Sequence, residues 1–146
     1  MGYTITIGEL SVIKEPDDGL DTPCISFGAI GVRHDDAPAF GDPTDYTNSR
    51  WPSYTVWADF ARATGLYDVL FYGGTLIGGH PGVRLVTKEL VDRVALELEV
   101  FKKRHPNAEP KYDETDESSY LCRLIWLDYW LRWSFENCET PVIANS

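Results

Sequence analysis

At 146 residues, 43% hydrophobic and 13% aromatic, the chain is long enough for one packed core and too apolar to be disordered. Its formal charge of −10 argues against binding nucleic-acid phosphates or anionic membranes, both of which call for clustered Lys and Arg. The acids gather at both ends: nine against three bases in residues 1–50 and eight against three in 105–146, with 51–104 nearly neutral.

Tyr3, Ile5 and Ile7 alternate with Thr4 and Thr6, the period of a half-buried strand. This start lacks the charged residues and long apolar run of a signal peptide. Gly8 predicts a bend or bulge, with Leu10 to Ile13 continuing the extended stretch. Pro16-Asp17-Asp18-Gly19 predicts a turn, and Cys24 to Val32 a second strand weakened by Gly28 and Gly31. A polar loop over 34–52 follows, long enough to be read as functional.

Ser53 is a natural N-cap and Gly65 a natural C′ residue for a helix over 53–64. Leu66 to Tyr72 is open between a helical turn and a strand, and Gly73-Gly74 offers a hairpin between Val69–Tyr72 and Thr75–Ile77. Gly78-Gly79-His80-Pro81-Gly82 reads as a sharp connection. Thr87 caps a helix over 87–104 whose buried stripe is Leu90, Val91, Val94, Leu98 and Phe101. Glu89 with Arg93, and Glu99 with Lys103, stand at i,i+4 spacing for ion pairs. Pro106 ends this helix, and Asn107 to Glu117 is a solvated linker.

The stretch Ser118 to Cys138 holds three tryptophans and two tyrosines without Gly or Pro. At helical pitch it has two apolar faces: Tyr120, Leu124, Leu127, Leu131 and Phe135 on one, Cys122, Trp126, Tyr129, Trp130 and Trp133 on the other. Such a helix belongs between layers, and Arg123, Asp128 and Arg132 make it unfit to span a bilayer. Pro141-Val142-Ile143 then tucks back onto the core. The expected architecture is a single α+β domain over 1–146, with a small N-terminal antiparallel sheet on about three helices and the C-terminal Trp-rich helix central.

No residue set names a reaction. His34-Asp35-Asp36, with Asp42 and Asp45, is the densest metal-capable group, yet its spacing matches neither a His-x-x-x-His helix nor a calcium loop. These acids read as solvated, so no metal or cofactor is expected. The alternative is a metal-dependent hydrolase built on His34, Asp35 and Asp36. The glycines of 73–82 lack the Lys-Ser or Lys-Thr of a phosphate loop, and no nucleophile elbow is present. Cys24, Cys122 and Cys138 form an odd set. Cys122 and Cys138 lie about 24 Å apart along a helix, so a reduced, cytoplasmic protein is expected. Binding candidates are Arg50, Trp51, Tyr54 and His80, placed where the 34–52 loop meets the 73–82 connection, with Trp126 and Trp130 if their face is exposed. An apolar cavity floored by Trp126 or Trp130 would instead mark a small-molecule-sequestering protein.

The segments Asp36-Ala37-Pro38, Asn48 to Tyr54 with Trp57 and Phe60, Gly65-Leu66, His80-Pro81-Gly82, Trp126-Leu127 to Trp130, Glu136-Asn137-Cys138 and Asn145-Ser146 together resemble a group of small uncharacterised proteins encoded in bacteriophage and prophage regions. The likeness covers most of the chain. It implies an accessory protein acting on a host protein in the host cytoplasm, and no substrate or catalytic residue.

Overall fold

The computed structural model describes residues 4–16, 23–39, 46–50, 54–71, 82–111 and 116–145. The fold is α+β, as the periodicities predict. In chain order the elements are β1 (Ile5–Pro16), β2 (Pro23–Ala29), β3 (Ser49–Arg50), α1 (Tyr54–Thr64), α2 (Tyr67–Leu70), β4 (Gly82–Leu85), α3 (Lys88–Arg104), α4 (Asp116–Asn137) and β5 (Pro141–Asn145). The sheet is antiparallel throughout, in the order β2-β1-β5-β4, with β3 also on β1.

Strand β1 is the spine. Its first half pairs with β5, setting Ile7 opposite Ile143, and its second half pairs with β2, setting Val12 opposite Phe27. Alternation sends Ile5, Ile7 and Ile143 to the helical side, where all three are buried with Trp57, Phe60, Leu124 and Leu127. Helix α4 lies against β1 and β5 on one side and against α1 and α3 on the other. It is therefore central, and even Arg123 and Ser134 between its apolar faces are buried.

The second sheet face is partly closed too. Val142 and Ala144 point away from the helices yet are buried, because the sheet curls until β2 approaches both β5 and β4. Asn48 locks this curl. Its backbone accepts from Ile7 N (3.0 Å) and donates to Val32 O (3.2 Å). Its side-chain Nδ2 donates to Ile7 O (2.7 Å) and Ile30 O (2.8 Å), and Oδ1 accepts from Val32 N (2.8 Å). Gly8 is needed beside it: a Cβ there would stand 2.9 Å from Ile30 O and 3.0 Å from Asn48 Nδ2. No bulge marks this glycine, since β1 stays paired with Val142 through it. The close approach is what the glycine serves.

Several local expectations are revised. Tyr67–Leu70 is a helical turn, not a hairpin strand, because Leu66 O accepts from both Val69 N (3.1 Å) and Leu70 N (3.0 Å). Residues 75–77 of that hairpin and the 16–19 turn's tip lie outside the described residues. The sheet is not confined to the N-terminal region, since β4 and β5 complete it. Thr87 caps α3 as predicted, accepting from Leu90 N at 3.2 Å. Gly65 ends α1 with a φ of 74°, and Leu66 N bonds Ala61 O at 2.9 Å. Arg93, however, turns from Glu89 to Asp68 (3.0 Å), Glu97 (3.3 Å) and Gly65 O (2.6 Å), while Glu99 meets Lys102 at 3.7 Å. Tertiary partners on the α1–α2 connection outcompete the neighbour along the helix.

Candidate functional site: an aromatic groove on α4

The 33–37 and 46–50 segments are strapped onto α4. Trp126 donates its indole N–H to Thr47 O at 2.9 Å, and Arg33 bridges to Thr47. His34 N donates to Tyr46 O at 3.0 Å, while His34 O accepts from Ala37 N at 3.1 Å, making a turn whose Ala37 is buried. The imidazole is thereby set against two indoles, 4.9 Å from the Trp130 ring and 4.7 Å, edge to face, from that of Trp133.

The aromatic face of α4 is divided at this point. Trp126 and Trp130 are fully buried, whereas Tyr129 and Trp133 are half-buried one turn apart. With Arg132 and Glu136 these two rings line an open groove of about 210 Å³. Asp36 from the 34–37 turn also acts here. Burial raises the Tyr129 phenol above its ordinary pKa, and the Asp36 carboxylate raises it further. Asp128 accepts both bonds of a forked contact from Arg132, at 2.8 and 2.7 Å, so the groove's own cation is neutralised.

The candidate residues are distributed unequally. Trp126 and Trp130 belong to the core, not to a contact surface. Arg50 is also enclosed, 4% exposed, with its guanidinium carbon 5.8 Å from the centre of the Trp126 ring. Trp51, His80 and the side chain of Tyr54 lie outside the described residues, as do Asp42, Asp45 and the 72–81 connection. Asp35 and Asp36 are exposed, and no three His, Cys, Asp or Glu side chains among the described residues are disposed to hold a metal ion. The apolar cavity between α3, α4 and β5 is about 10 Å³, room for one water at most.

Tyr129 and Trp133 were legible only as part of an apolar face. A second feature had no sequence signal. Val12, Ile25 and Phe27 stand exposed on one face of the β1–β2 hairpin, and Val83 and Leu85 stand exposed on β4. None of the described helices is long and apolar enough to cross a membrane. Family models, curated proteins and solved structures yield no match to the chain.

Proposed function

We propose that this is a phage-type accessory protein of the host cytoplasm that works by binding another protein, a host factor, through the α4 groove. The observation that carries this reading is the half-buried Tyr129–Trp133 pair flanked by acids. Aromatic side chains that keep one face open while the rest of their helix is packed are the usual anchors of protein interfaces. The exposed apolar side chains on β1, β2 and β4, on the sheet face away from the groove, support a protein-binding role in general, because apolar surface on a folded domain commonly meets a partner. So does the acidity of the chain, which repels nucleic acid and attracts basic protein surfaces.

Capture from bacterial lysate tests it, comparing the unaltered chain with Glu136→Lys and Asp36→Lys. Both positions are exposed, so neither substitution should disturb melting. The expected result is a protein retained by the unaltered chain and lost from both variants. Equal retention by all three, or retention of nothing, removes the groove from this role.

A further inference from the structure

We propose that the occupant of the α4 groove is an arginine side chain of the partner protein, its guanidinium stacked on Trp133 or Tyr129 beside Glu136, with Asp36 of the adjoining 34–37 turn adding negative charge. This rests on the protein-binding reading above and adds to it the chemistry that is recognised.

Four features favour a cation, and a planar one. Indole and phenol faces carry the negative lobe of the ring quadrupole and attract positive charge, with Trp the strongest. Asp36 and Glu136 are both exposed, and neither is engaged in an ion pair among the described residues. The lining cation, Arg132, is already forked onto Asp128, so the rim is left net negative and an anionic ligand is disfavoured. A groove of about 210 Å³ suits one long side chain and not a folded element. Guanidinium surpasses ammonium here because it stacks flat on a ring and still forks to carboxylates at its edge. The chain already makes this contact with itself: Arg33 lies over Tyr46 at 5.1 Å and Arg62 over Tyr67 at 4.9 Å.

The test uses the full chain and the tripeptide acetyl-Gly-Arg-Gly-amide. Its citrulline and lysine counterparts and tetramethylammonium serve as comparisons. Binding is followed by the indole N–H resonance of Trp133, assigned with Trp133→Phe. The arginine peptide is expected to shift that resonance and to bind about fivefold or more tightly than the citrulline peptide, which has the same shape without the charge. Lysine should fall between them, and added salt, Asp36→Asn or Glu136→Gln should weaken the arginine peptide. Equal affinity for arginine and citrulline, or indifference to both carboxylate variants, overturns the proposal. Tighter binding of tetramethylammonium than of the arginine peptide also overturns it, in favour of a small quaternary ammonium ligand. The two readings fail separately. Groove-dependent capture of a protein without arginine-peptide binding leaves the partner and removes the arginine, while peptide binding with no captured protein does the reverse.

Discussion

A single buried amide, Asn48, holds three chain segments together. It is 0% exposed and serves Ile7, Ile30 and Val32 through side chain and backbone. Asn48→Ala would leave two carbonyls and one N–H without this partner, the Ile7 carbonyl in the interior and the other two at part-buried sites, each costing up to about 1–3 kcal/mol. A loss of about 3 kcal/mol or more is expected in urea titration. Gly8→Ala should be destabilising for the same locus, since its new methyl meets a backbone carbonyl that cannot step aside. Combining the two should give less than the sum, because Asn48→Ala removes one of the atoms that Gly8→Ala strikes. A small effect of Asn48→Ala alone would mean that water replaces the amide and that the curl has another source. Arg50 is enclosed too, 4% exposed with its guanidinium carbon 5.8 Å from the centre of the Trp126 ring, so it offers little surface to a ligand.

Among elements, α3 is fastened to the α1–α2 connection by one side chain. Arg93 reaches the Gly65 carbonyl that closes α1 and forks onto Asp68 of α2, with Glu97 as a third contact. The hydrogen bond from Arg93 holds the Asp68 carboxyl below its ordinary range. The stabilisation is therefore present above the ordinary carboxylate pKa near 4 and is lost as pH falls through the lowered folded value. Arg93→Ala should cost on the order of 1 kcal/mol at neutral pH, because the site is exposed, and should narrow the stability difference from the unaltered chain under acid conditions. Chemical denaturation at neutral and acid pH measures both, and a deficit that grows on acidification would contradict this account. Helix α3 was legible because seventeen residues give the 3.6-residue period room to show, and α4 because twenty-two residues run without a Gly or Pro to break them. Strand β4 was not, because Gly-Val-Arg-Leu is extended only by virtue of its partner β5. The groove was hidden for a different reason. Tyr129 and Trp133 are displaced from Trp126 and Trp130 by three residues, about 60° around the helix, and periodicity does not resolve which side of so broad an aromatic face meets solvent.

At the scale of the whole molecule, the charge and the apolar surface are segregated. The outer sheet face exposes Val12, Ile25, Phe27, Val83 and Leu85, and the charge it carries beside them on the β1–β2 hairpin is a base, Lys14 opposite Ile25, although acids outnumber bases by 23 to 13 in the chain. Phe27 is 54% exposed, so Phe27→Ser should change stability by less than about 1 kcal/mol while lowering the binding of an apolar dye. A large loss of stability would show that this face is covered in solution.

The β1–β5 pairing bears on how the structure is reached in time. The carboxylate of Glu9 accepts from the backbone N–H groups of Glu139 and Thr140, the latter 131 positions away, and the ladder continues from there to Ile5 and Asn145. The β1–β2 hairpin, by contrast, closes over a short span and can form early. The second half of the spine strand is thus paired early, while its first half waits for β5 until α4 has been made and packed, so the sheet that looks N-terminal is completed last. Closing so long a loop carries an entropic cost that short-range contacts do not share, which sets the β1–β5 pairing behind the hairpin in time. During synthesis the first half of β1 has no β5 to pair with, and its exposed edge is the point at which a chaperone or an aggregating neighbour would first take hold.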